Sequence, residues 1–96
     1  MARYIMLLNW TDQGVRAADQ TVARAAAARK VFEKAGAKLV DISWTLGAYD
    51  IVITAEAPDD ETMTALGLGL GKLGNLRSQT LRAFDENEMQ RILKRM

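Results

Sequence analysis

Apolar residues recur along this chain with a period of two in some segments and a period near 3.6 in others. Residues 3–10 are apolar on both alternating faces, which is typical of a strand buried on both sides. Residues 38–45 and 49–57 predict two further strands, and the short turn between them, Leu46 to Ala48, indicates a hairpin. Residues 75–84 predict a fourth strand.

Helical spacing appears between the first two strands. We expect a helix that Asp19 or Thr21 caps and that runs to about Ala35, with Gly36 as its C-terminal stop. Its apolar stripe comprises Ala25, Ala28, Phe32 and Ala35. The charged residues that fall away from this stripe, and are therefore expected in solvent, are Arg24, Lys30 and Lys34. The polar segment from Thr11 to Gly14 before it is predicted to be a loop.

A second helix is predicted after Pro58, where Asp59 or Asp60 can cap it. Its apolar stripe comprises Met63, Leu66, Leu70 and Leu73. A short third helix is predicted at the C-terminal end of the chain, because Asp85 and Glu88 have the spacing of a capping box. Its apolar side comprises Met89, Ile92, Leu93 and Met96.

These elements predict one α+β domain over residues 1–96 with the ferredoxin-like order β-α-β-β-α-β. Two helices would cover one face of a four-stranded antiparallel sheet. The other face would be apolar whichever side of the first strand it contains, so we expect it to pair with a second copy of the chain. The pattern leaves open which side of the first strand meets the helices.

The amino-acid composition argues against several classes of ligand and catalytic group. The 13 Lys and Arg residues are nearly balanced by 12 Asp and Glu residues, which argues against a non-specific nucleic-acid binder. The absence of Cys and His excludes disulfides, thiolate catalysis and the usual zinc, copper and haem ligands, and we expect no cofactor. The longest early apolar run, residues 5–8, is too short for a signal-peptide core or a membrane span. The cytoplasm is therefore the default location.

Two sequence motifs resemble known nucleotide- or phosphate-binding motifs only in part. Gly69-x-Gly71-x-x-Gly74 has the spelling of a dinucleotide fingerprint, but a helix precedes it and a strand follows, which is the reverse of the order that motif needs. The segment from Asp12 to Arg16 resembles the phosphate loop of acylphosphatases over a handful of residues only. We interpret the glycines as packing and turn residues and the loop as a connector.

Aromatic and polar side chains are expected to meet at one edge of the sheet. The end of the first strand (Asn9, Trp10), the end of the second (Trp44) and the start of the third (Tyr49, Asp50) share that edge in the ferredoxin-like order. Such a mixture is typical of small-molecule pockets. The alternative is that the indoles cap the core while Asp50 satisfies turn amides.

Several motifs together resemble the GYD domain family. They are Asn9-Trp10-Thr11-Asp12-Gln13-Gly14, Trp44-Thr45-x-Gly47-x-Tyr49-Asp50, Gly74-Asn75-x-Arg77 and Thr80-x-Arg82-Ala83-Phe84. The resemblance implies a fold of the dimeric α+β-barrel type. It implies no catalytic residues, and its motif positions include Asn9, Trp10, Trp44, Tyr49, Asp50 and Arg77.

The function expected first is a homo-oligomeric binding or assembly domain that holds a small ligand at these six positions. Arg77 could face an anionic group of the ligand, and the alternative, more usual for an isolated Arg, is that it pairs with a surface carboxylate. The alternative is a cofactor-independent enzyme, a monooxygenase or isomerase of small aromatic or acidic substrates, in which Asp50 or Tyr49 transfers the proton. Neither a nucleic acid, a membrane nor a metal is expected as partner.

Overall fold

The computed structural model describes residues 1–96 and has the predicted strands and helices in the predicted order, with one additional short helix after the first strand. The strands are β1 (Ala2–Trp10), β2 (Lys38–Trp44), β3 (Ile51–Ala57) and β4 (Leu76–Ala83). The helices are α1 (Asp12–Arg16), α2 (Thr21–Lys34), α3 (Asp60–Lys72) and α4 (Glu86–Leu93), with a 3₁₀ turn at Ala18–Gln20 before α2. The sheet order is β2-β3-β1-β4 and every pairing is antiparallel, so the ferredoxin-like prediction is confirmed.

The register of β1 decides which of its two apolar faces is covered. Tyr4, Met6 and Leu8 are buried beneath the helices, whereas Ile5 and Leu7 are half-buried on the uncovered face. Strand β3 alternates in the same way, with Ile51, Ile53, Ala55 and Ala57 buried. The core therefore lies between one face of the sheet and the helices α2 and α3.

Local capping explains several of the helix boundaries. Asp59 accepts a hydrogen bond from the Thr62 backbone N–H at 2.8 Å and begins α3, and Asp85 with Glu88 forms the predicted capping box of α4. After α2 the chain turns at Gly36, whose φ of +76° is accessible to glycine at no steric cost. The phenol of Tyr4 donates to the Asp60 carboxylate at 2.5 Å, which ties β1 to the start of α3.

Two predictions for the segment after β1 are wrong. Residues 11–14 are not a loop: Thr11 accepts a hydrogen bond from the Gly14 backbone N–H at 3.1 Å and caps the short helix α1. Neither Asp19 nor Thr21 caps α2. Asp19 lies in the 3₁₀ turn, Thr21 is the first residue of α2, and the residue at the N-cap, Gln20, makes no side-chain capping bond.

Candidate functional site

The two indoles lie at the same end of the sheet and on its helix-covered side. Trp10 pairs with Leu76 of β4 and packs against the core. Trp44 pairs with Ile51, is 40% exposed, and donates its Nε1–H to Thr21 Oγ1 at 2.9 Å. Trp44 therefore holds the first residue of α2 against the end of β2.

Asp50 connects the hairpin to the end of β1. Its carboxylate accepts a hydrogen bond from the Trp10 backbone N–H at 3.0 Å. Its own N–H donates to the Leu8 carbonyl, and its carbonyl accepts from the Thr45 N–H, both at 2.9 Å. This is the backbone-satisfying role that the sequence offered as the alternative to ligand binding.

The other three predicted residues lie on the uncovered face. Asn9 and Arg77 are register partners there, and the Tyr49 hydroxyl donates to Gln79 Oε1 at 3.1 Å. The sheet thus separates these residues from Trp10 and Trp44, and the prediction that all six surround one pocket is wrong in that respect. Strand alternation is the reason, since neighbours such as Asn9 and Trp10 must point to opposite faces.

An apolar cavity of about 150 Å³ lies between α2, α3 and the sheet, and Trp10 forms part of its wall. Small side chains create it, because Ala25 and Ala28 of α2 face Ile42 and Ile51 without filling the space between them. An engineered cavity of about this size in another protein binds benzene. Trp10 is the one residue of the predicted six that lines it.

Three of the fourteen lining residues are polar: Thr21, Arg24 and Asn75. The prediction that Arg24 lies in solvent is wrong, since its side chain is half-buried at the cavity. The spacing of four that joins Arg24 to Ala28 and to buried Phe32 could have revealed this position. Arg77, the predicted anion-binding residue, is not in the lining.

The wall that contains Asn75 is built by two motif segments distant in sequence. Thr11 donates its backbone N–H to the Asn75 carbonyl at 3.1 Å and its hydroxyl to the Gly74 carbonyl at 2.5 Å. The Gln13 amide donates to Asn75 Oδ1 at 2.9 Å. Gly14 is obligatory at this contact, because a Cβ there would lie 2.0 Å from the Asn75 carbonyl oxygen. These bonds fix the position of Asn75 at the cavity.

A larger concavity, of about 1190 Å³, runs between α3 and β4. It is an open groove, and only four of its fifteen lining residues are hydrophobic. Ligand sites bury most of the ligand against a largely apolar wall, so the smaller cavity is the better candidate site despite its volume. The turn predicted at Gly74 is confirmed by its φ of +84°, but the packing role predicted for Gly69 and Gly71 is wrong, because a Cβ at either position would meet nothing within 4 Å.

The acid–base chemistry of the cavity is limited. No carboxylate lines it, and Asp50 and Tyr49, the predicted proton-transfer groups of the enzyme alternative, lie outside its wall. No group of three or more His, Cys, Asp or Glu side chains is placed to hold a metal ion. No helix has both the length and the apolar character needed to cross a membrane.

Comparison with models of known protein families identifies the family of this chain. The model of the GYD domain matches residues 4–93. The chain belongs to the GYD domain family. The resemblance found in the sequence is therefore confirmed, and the segments joined by hydrogen bonds at Asn75 are among those that carry this resemblance.

A solved structure of similar fold is the crystal structure of TTHA0845 from Thermus thermophilus. It is 20% identical to the GYD domain described here, with a TM-score of 0.56 over 88% of this chain and 95% of that one. At this identity the similarity concerns the fold. No curated protein matches the sequence significantly.

Proposed function

We propose that this GYD domain is a homo-oligomeric small-molecule-binding domain and that its ligand occupies the cavity between α2, α3 and the sheet. The observation that carries the proposal is the cavity itself, an apolar space of about 150 Å³ walled by Trp10 and the alanines of α2. A space of this size beside an indole suits one six-membered ring or a short branched chain.

The surroundings of the cavity support binding over a mere packing defect. The wall at Asn75 is held by hydrogen bonds from Thr11 and Gln13, and Thr21, another lining residue, is held by the bond from Trp44. A site whose walls are fixed before the ligand arrives loses less entropy on binding.

Benzyl alcohol is a suitable neutral probe for this proposal. The chain has two Trp, so its two indole N–H signals in a ¹H–¹⁵N spectrum can be assigned with the variant Trp44→Phe. We expect benzyl alcohol to shift the Trp10 signal in a saturable way. Ala28→Leu should abolish the shift by filling the cavity, whereas Ala26→Leu, at an exposed position of the same helix, should not. An unchanged Trp10 signal at millimolar probe would contradict the proposal.

Self-association is supported by the uncovered face of the sheet. Ile5, Leu7 and Val52 form an apolar centre there, beside Leu81, which is 48% exposed. The rim carries both charge signs, since Arg3 and Lys38 both pair with Glu56. A face with an apolar centre and both charges at its rim can be complementary to itself across a two-fold axis.

Sedimentation at micromolar concentration tests this part of the proposal. We expect at least a dimer, and a 10.6 kDa monomer would contradict it. Leu81→Glu should dissociate the assembly, because it places a charge directly beside the apolar centre of the interface. Leu68→Glu is the matched control, at a residue 71% exposed on α3, and it should leave the assembly intact.

A further inference from the structure

We infer that the ligand of this cavity is a small ring or short branched chain carrying one carboxylate, with the carboxylate held by Arg24, Thr21 and Asn75. This inference rests on the proposed function, because it names the class of ligand for the same cavity. It comes from the chemistry of the polar groups in the wall.

The three polar lining residues can all donate hydrogen bonds, and none of them is acidic. Arg24 is half-buried and has no carboxylate within salt-bridge distance, since the one ion pair of the chain joins Arg82 to Glu88. Its one hydrogen bond is a long contact of 3.4 Å from Nη1 to the Gly14 carbonyl. A half-buried guanidinium without a counterion favours an anion at that place.

Two neutral donors complete the set. The Thr21 hydroxyl oxygen already accepts from Trp44, which leaves its own hydrogen to donate. The Asn75 side chain accepts from Gln13 through Oδ1, which leaves its amide hydrogens to donate. Both side chains are thus oriented by a neighbour outside the cavity while their free donors remain for a ligand.

The start of α2 adds to the positive potential. This helix of 14 residues begins at Thr21, its first turn contains no acidic residue, and its N-cap residue makes no side-chain hydrogen bond. The helix dipole therefore adds a positive potential one turn before Arg24, reduced by Asp19 in the preceding 3₁₀ turn and by the Thr21 N–H, which already donates to the Ala18 carbonyl. Because Arg24 is the one charged residue in the lining, a singly charged carboxylate matches the site better than a doubly charged phosphate.

The test compares benzoate with benzyl alcohol, which have the same ring and differ in charge. Dissociation constants are measured from the Trp10 indole signal at constant ionic strength. We expect the wild-type protein to bind benzoate at least about tenfold more tightly, because hydrogen bonds to charged groups are the stronger ones. Arg24→Met keeps an apolar stem of similar length and should remove this preference. Lys30→Met, which removes the same charge from an exposed position of α2, should retain it.

Each outcome separates the two proposals. If neither compound shifts the Trp10 signal, the proposed binding function fails and this inference fails with it. If both bind with equal affinity, the cavity binds ligands and the carboxylate inference alone is overturned. A benzoate preference that survives in Arg24→Met also overturns it. Arg24→Lys serves as the second variant, and its retained charge should preserve part of the preference if Arg24→Met is too unstable to measure.

Discussion

Filling the cavity tests the structure independently of any ligand. Ala28 lies on the inner side of α2, is half-buried against the core and lines the cavity. In Ala28→Leu, three additional carbon atoms enter this space. If the cavity exists as described, the larger side chain should stabilise the protein, whereas most substitutions at tightly packed sites destabilise.

The size of the effect follows from the volume. An empty apolar cavity costs about 24 cal/mol per Å³, so about 150 Å³ sets a limit of roughly 3.6 kcal/mol on what filling can recover. Three buried carbon atoms contribute about 2.4 kcal/mol at ~0.8 kcal/mol each. The loss of leucine rotamer freedom offsets about 0.5–1 kcal/mol of this. We expect the free energy of unfolding to rise by about 1.5 kcal/mol, which corresponds to roughly 6–12 °C in Tm for a domain of this size.

Urea unfolding followed by tryptophan fluorescence measures this change, and a thermal scan by circular dichroism checks it. Ala26→Leu makes the same chemical change at an exposed position of α2 and should alter the free energy of unfolding by less than about 0.5 kcal/mol. A loss of about 1 kcal/mol or more in Ala28→Leu, with Ala26→Leu unchanged, would show that α2 already packs tightly on the sheet. The candidate site would then be refuted along with the cavity.

Two further expectations concern other parts of the fold. Gly14→Ala should destabilise the protein by about 3 kcal/mol or more in urea unfolding, because its Cβ meets the Asn75 carbonyl; Gly67→Ala, where a Cβ on α3 meets nothing within 4 Å, should be neutral or stabilising by up to about 1 kcal/mol. Burial, followed by the hydrogen bond to the α3 carboxylate, raises the pKa of Tyr4 to about 12. The folded state therefore holds the phenolic proton more tightly than the unfolded state, and this stabilisation is present below about pH 10 and is lost as the pH rises towards 12. In alkaline denaturation, Tyr4→Phe should remove that part of the pH dependence while Tyr49→Phe retains it, and equal profiles for the two variants would contradict this account.

Local signals in the sequence predicted the elements that depend on local interactions. Asp59 and the Asp85–Glu88 pair cap their helices through hydrogen bonds spanning three residues, and Gly36 ends α2 through its own backbone conformation. The strands were likewise predicted from local residue patterns, and their order along the chain implies the ferredoxin-like arrangement. Local patterns do not predict α1, because this helix depends both on the cap at Thr11 and on contacts with Asn75, which lies 64 residues further along the chain.

The candidate site shows where the sequence is ambiguous. Four consecutive alanines from Ala25 to Ala28 blur the boundary between the apolar and polar sides of α2, so the inward position of Arg24 did not stand out. The separation of Asn9 from Trp10 could have been predicted, because it follows from strand alternation alone. The place of Tyr49 could not, since it lies in the turn before β3 and its position depends on Gln79 across the sheet.

By itself, the sequence determined the fold class, the family, the end of α2 and the starts of α3 and α4, because each depends on spacing and on caps a few residues long. Only the tertiary structure decided which face of β1 is buried, since both faces are apolar and the choice depends on the packing of α2 and α3. Only the tertiary structure, likewise, revealed the cavity at Trp10. A cavity is the space that side chains from separate elements leave between them, and no local pattern along one chain segment encodes its volume.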